Sequence, residues 1–113
     1  AAVERLNASS EYLKDIMEKY PFAKINIYGH LLGGADAQYA LANVTDYDRI
    51  KSVYLYNSPN VFPILSYEQR LNASALYDNI NNFIDSKDIA GFGYEKDKGT
   101  VGKIYEVSGL ESD

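Results

Sequence analysis

The chain predicts an α/β fold, a three-layer, mainly parallel sheet of about four strands flanked by helices. Three observations carry that expectation. Short apolar runs of strand length alternate along the chain with longer runs of helical period. Turn-forming clusters such as Ser58-Pro59-Asn60 and Asp97-Lys98-Gly99 separate them. The 113 residues, 46% of them apolar, suffice for one hydrophobic core and one domain, residues 1–113.

The first element is an amphipathic helix over 2–20. Val3, Leu6, Leu13, Ile16, Met17 and Tyr20 fall at three- and four-residue steps, and Pro21 ends the run. Lys24 to Tyr28 is a short strand with Ile25 and Ile27 on one face. A helix follows from about Leu32 to Asn43. Its first turn is built of Gly33, Gly34, Ala35 and Ala37, small enough to pack closely on a sheet and to turn backbone amides toward a ligand. Asp36 suits the positive end of that helix dipole.

Ile50 to Asn57 is the second strand. Ser66 with Gln69 three residues later marks a capping box and a helix over about 66–76. Asn79 to Ile84 is the third strand, 85–94 a loop, and Lys103 to Val107 the last strand. Tyr28, Tyr54 and Tyr56 fall within strands, where packing on the sheet is their expected role.

A net charge of −5 argues against nucleic acid and anionic membrane as main partners. The absence of cysteine removes disulfides, a thiolate nucleophile and thiolate metal sites. No run reaches the length of a membrane span. Asp46, Asp48, Glu111 and Asp113 form no metal-ligand spacing, and no cofactor fingerprint is present. Asn7, Asn43 and Asn72 begin glycosylation triplets, which in an Asn-rich chain read as chance matches.

The chemistry-bearing segment is Gly29-His30-Leu31-Leu32-Gly33-Gly34, between a strand and a helix. A nucleophile elbow has that context, with its central residue forced to positive φ and small residues two before and two after. Gly29 and Gly33 meet the size requirement. The backbone N–H of Leu32 would be half of an oxyanion hole. The alternative is an ordinary glycine-rich turn of a parallel sheet.

Ile25 to Ala35 resembles the elbow of class 3 lipases and lipase-like bacterial α/β-hydrolases, where the turn reads Gly-His-Ser-Leu-Gly-Gly-Ala. Tyr54 to Val61 is similar to their next strand and its Pro-containing loop. Asn82 to Ile89 is similar to the strand and loop that bear the triad aspartate. The resemblance implies acyl-ester hydrolysis through an acyl-enzyme, with a lipid-like substrate and no cofactor. It puts Leu31 at the nucleophile position, Asp88 at the triad acid with Asp85 as fallback, and makes Gly29, His30, Gly33 and Gly34 structural parts of the elbow.

Leucine has no nucleophilic atom, and His30, the only histidine, is the elbow residue preceding it. The expected function is therefore either a lipase- or esterase-like domain without catalytic competence or a non-catalytic binding module on the same scaffold. No strand precedes the strand at 24–28. That places it at an open sheet edge, predicts a homodimer or partner chain bound there, and suggests a piece of a larger hydrolase.

Overall fold

The computed structural model describes residues 2–109. Ala1, Glu111 and Asp113 lie outside the described residues. Three helices and four strands alternate: α1 (Ala2–Lys19), β1 (Ile25–His30), α2 (Leu32–Leu41), β2 (Ile50–Tyr56), α3 (Tyr67–Ala75), β3 (Ile80–Asp85) and β4 (Lys103–Val107). The α/β class and the helix-flanked parallel sheet are as expected.

All strand pairs are parallel, and the sheet order β1-β2-β3-β4 is the chain order. Parallel neighbours cannot be joined by a hairpin, so each pair encloses a longer connection. In β1–β2 it holds α2, in β2–β3 it holds α3, and in β3–β4 it is the loop rich in Gly and Lys after Asp85.

Ser66 caps α3 as its sequence predicts. Its hydroxyl accepts from the Gln69 amide at 3.2 Å, and the Gln69 side chain accepts from the Ser66 amide at 2.8 Å. A different device ends α1. The Arg49 guanidinium donates to the carbonyls of Tyr20 at 2.6 Å, Ala23 at 2.7 Å and Met17 at 3.2 Å. Carbonyls at a helix C-terminus lack intrahelical partners, and a fork of N–H groups satisfies several together.

The apolar stripe of α1 is narrower than its periodicity predicts. Leu6 and Leu13 are buried, whereas Val3 is exposed and Tyr20 lies beyond the helix end. Likewise Asp36 lies past the first turn of α2, where the dipole acts weakly, and its carboxylate instead accepts from Arg5 Nε at 2.8 Å and ties α2 to α1.

Strand alternation sorts side chains to two faces. Toward α2 point Ile25, Ile27 and Gly29, then Val53 and Leu55, then Ile80, Asn82 and Ile84. The β2 and β3 residues of that face join Leu41, Ala42, Ala73, Leu76 and Val101 in a buried interior, against which Ile25 and Ile27 pack partly buried. Each large member contributes about 1.5–3 kcal/mol on leaving water. The other face carries aromatic rings in register. Tyr28 stacks on Tyr54 at 5.8 Å between centroids, Tyr56 on Phe83 at 5.3 Å and Phe83 on Tyr105 at 5.1 Å.

Candidate functional site

Parallel α/β sheets place ligand sites at the carboxyl ends of their strands, where loops lead into helices. Here that edge collects the end of β1 with Leu31, the β2 exit with Asn57 and Ser58, and the β3 exit with Asp85 and Asp88.

The β1–α2 turn has the elbow conformation. Leu31 sits at φ 54, ψ −125, the mirror image of the first corner of a type II turn. Glycine adopts that region freely and a leucine does so only under strain. Three backbone bonds impose it: the Leu31 amide donates to the Tyr56 carbonyl at 3.0 Å, and the Leu31 carbonyl accepts from Gly34 at 3.0 Å and Ala35 at 3.3 Å. The result pushes the side chain outward. Leu31 is 44% exposed and Leu32 57% exposed at the mouth of the sheet.

Two glycines permit this turn. A Cβ on Gly29 would meet the Cα of Gly34 and the Leu55 side chain, both at 2.9 Å. One on Gly34 would lie 1.5 Å from the Ser58 hydroxyl. The close contact is therefore between Gly29 and Gly34. Gly33, which the motif spacing singles out, has open space around the position of an added Cβ.

Relieving the strained corner has a measurable consequence. Leu31→Gly should raise stability by about 1 kcal/mol, since removed strain exceeds the extra entropy of an unfolded glycine. A thermal melt should shift up by roughly 4–8 °C. An unchanged or lower melting point would mean that the Leu31 side chain stabilises the turn.

Leu31 occupies the N-cap of α2 and offers no side-chain hydrogen bond to the first turn. The N–H of Leu32 opens the helix, among the amides that have no acceptor within it. The turn thus leaves the first amides of α2 without an intrahelical acceptor and places an aliphatic side chain at its corner.

Asp85 and Asp88 reach the same end of the sheet, with β2 between their strand and β1. Asp85 is only 3% exposed. Its carboxylate accepts from the Lys87 amide at 3.1 Å, and its own amide donates to Asn57 Oδ1 at 2.8 Å. Asp88 is half-buried in the helical turn Ser86–Asp88, and its carbonyl accepts from Phe92 at 2.9 Å. His30 is exposed at the end of β1, in the cross-strand row that continues through Tyr56 and Phe83 on the aromatic face. It does not lie between position 31 and either aspartate. Among the described residues no group of His, Cys, Asp and Glu has the arrangement of a metal site, and no helix is long and apolar enough to cross a membrane.

Behind the elbow lies a buried polar network that the motifs did not reveal. Gln38 of α2 is fully buried. Its amide donates to Asn82 at 3.1 Å and to the Tyr94 hydroxyl at 3.0 Å, while its oxygen accepts from the Val61 amide at 3.0 Å. Tyr94 donates in turn to the Ser58 carbonyl, and Asn82 to the Val101 carbonyl at 2.7 Å. Asn60 donates to the carbonyls of Gly93 and Gly99, both at 2.9 Å. One set of amides thereby holds the β2 exit loop and the β3–β4 loop against α2 and against each other. Asn57, at φ 50, takes the left-handed conformation that asparagine tolerates better than most residues.

Burial pushes the Tyr94 phenol from 10.0 up to about 12, partly offset by its hydrogen bond with Gln38. Its folded pKa is raised, so its contribution is complete below pH 10 and is lost as pH climbs from about 10 to 12, where the unfolded chain ionises first. Urea unfolding at high pH should show a loss on the order of 2 kcal/mol that Tyr94→Phe removes. Equal pH dependence in both proteins would rule out this phenol as the cause.

The model of a protein family described as Mbeg1-like matches residues 1–102. No curated protein and no solved structure matches the chain. The family match overturns the assignment to class 3 lipases. The short motifs that suggested it report a shared turn geometry, which a strand, a tight glycine corner and a helix produce in any family that uses them.

Proposed function

Starting from a chain that belongs to the Mbeg1-like family, we propose that it is a non-catalytic module built on a serine-hydrolase-type elbow. The observation that carries the reading is Leu31 held at φ 54, ψ −125 between β1 and α2. A strained corner of that kind is useful where it lifts one side chain clear of the sheet. Here the lifted side chain is an aliphatic one. The backbone of the turn supports an elbow that presents one side chain, and the chemistry of leucine supports the absence of covalent turnover through it. Among the described residues no histidine lies between the elbow and Asp85 or Asp88. Without nucleophile and base, the turn can offer only N–H groups and an apolar lip formed by Leu31 and Leu32.

A fluorophosphonate probe tests this in the intact chain, with imidazole added as an external base. The unaltered protein should remain unlabelled, and Leu31→Ser should acquire slow stoichiometric label at position 31. Labelling of the unaltered chain would overturn the non-catalytic reading. A folded Leu31→Ser protein that takes no label would overturn the elbow reading.

A further inference from the structure

Asn7, Glu11, Lys14 and Glu18 recur on α1 at steps of four, three and four residues, which sets them in one polar stripe. The stripe borders a cavity of about 590 Å³ between α1, the C-terminal half of α2 and the loop before β2. Small-molecule sites run from about 300 to 1,000 Å³. The floor is apolar: Leu13, Ala40 and Val44 are buried there, and Met17 packs on the core beside them. Two bridges between the walls bound the cavity. The Tyr39 hydroxyl of α2 donates to Asn7 Oδ1 of α1 at 3.2 Å, and Arg49, just before β2, donates to the Met17 carbonyl at 3.2 Å. About 15 Å of α1 separates Asn7 from Met17. A cavity crossed at both ends suits a small molecule rather than a through-running polypeptide.

Arg49 is the fixed charge of the lining. Its Nε and Nη2, one edge of the planar guanidinium, are held by the carbonyls of Ala23, Met17 and Tyr20. Its Nη1 has no acceptor among the described residues, and the group does not lose its proton. Glu11, Lys14, Glu18 and Asp46 line the same cavity, and none of these five charged groups makes an ion pair among the described residues. Asp46 precedes the helical turn Tyr47–Arg49 and gives it no side-chain bond. Three unpaired carboxylates and two unpaired cations thus surround one apolar floor. A lone anion would be opposed by the carboxylates, and a lone cation would leave Arg49 unanswered. A ligand carrying both signs meets both.

We infer that this cavity binds an α-amino acid with an aliphatic side chain. The ligand carboxylate would accept from Arg49 Nη1, and its ammonium would donate to the Asp46 carboxylate with Glu18 nearby. Its side chain would leave water on the floor of Leu13, Met17, Ala40 and Val44. The three carbonyls that hold the other edge of Arg49 place the guanidinium before the ligand arrives, so little order is lost on binding. The inference stands apart from the elbow reading, because no residue of the turn lines the cavity.

The test titrates the intact chain with L-leucine and follows backbone amide shifts by NMR. Saturable shifts are expected at 43–49 and along 7–18. Two analogues separate the charges: 3-methylbutylamine lacks the carboxylate and 4-methylpentanoate lacks the ammonium. Each should bind about tenfold more weakly than leucine, or worse. Asp46 and Thr45 are exposed at the rim, so their variants should keep the circular dichroism and melting point of the parent. Asp46→Asn should weaken leucine about tenfold and leave 4-methylpentanoate unaffected. Thr45→Trp should fill the cavity and remove binding of all three. Absence of saturation at millimolar leucine, equal affinity for leucine and either analogue, or indifference to Asp46→Asn would overturn the inference. So would shifts confined to the first turn of α2, which would make the elbow amides the carboxylate site.

Discussion

Gly34→Ala is expected to cost more than about 3 kcal/mol and to leave little folded protein at 37 °C, as read by urea unfolding. The methyl would have to occupy space 1.5 Å from Ser58 Oγ and 2.5 Å from Ser58 Cβ. Both partners belong to backbone elements that cannot swing aside. Gly34 is in the first turn of α2, and Ser58 is fully buried in the β2 exit loop. The Ser58 Cα, by contrast, lies 3.6 Å from the added carbon, an ordinary contact. Gly34→Ala combined with Ser58→Gly therefore transfers the occupied space from loop to helix. The double variant should recover about 2 kcal/mol of the loss. If the two substitutions simply add, the clash is relieved elsewhere and the helix–loop contact does not set the position of α2.

Gln38→Leu should destabilise the chain by about 4 kcal/mol, lowering the melting point by roughly 15–30 °C. The shapes are similar, so the effect comes from the groups left behind. The Val61 amide loses the Gln38 oxygen, and Asn82 Oδ1 loses the Gln38 amide, both inside the protein. A buried polar group stripped of its partner costs about 1–3 kcal/mol. Tyr94 keeps its bond to the Ser58 carbonyl, which confines the damage to two orphans. Pairing Gln38→Leu with Asn82→Leu would remove one orphan and create others at the Val101 and Lys103 carbonyls, which Asn82 satisfies at 2.7 and 3.2 Å. The double variant should be no more stable than the single one. A melt unchanged within a few degrees in Gln38→Leu would show that water replaces the side chain.

Periodicity and punctuation located the three α-helices and four strands of the described residues, though not the short 3-10 turns such as Ser86–Asp88, because local physics governs the longer elements. Isoleucine, valine and tyrosine in short runs, Pro21 after a helix and the Ser66–Gln69 pair act through neighbours only a few residues away. The elbow was legible for the same reason, since Gly29, Leu31 and Gly34 lie within one turn of chain. Its family was not. A tight corner of small residues expresses a steric demand, and unrelated chains meet that demand with similar letters. Gln38, Asn82 and Tyr94 escaped for the opposite reason. Each meets partners 19 to 56 positions away, as the Asn82–Val101 and Gln38–Tyr94 bonds show, and nothing beside them in sequence marks them. One trace was available: Gln38 is the lone amide on the buried side of α2, among Gly34, Ala35, Ala40 and Leu41. The Gly29–Gly34 contact was likewise misassigned to Gly33, because motif spacing reports which residues recur, whereas contact depends on which side of the helix faces the strand.

The coincidence of sheet order with chain order bears on how the molecule assembles. Each strand takes its place beside the one made just before it, and no strand has to slot between two that are already joined. A growing polypeptide can thus lay the sheet down as a sequence of additions, each closing one excursion of similar modest length. Nothing formed early must open again to admit what comes later. The same ordering makes successive steps unequal: β4 adds to three strands already joined, whereas β1 and β2 must find each other before either has a sheet to join.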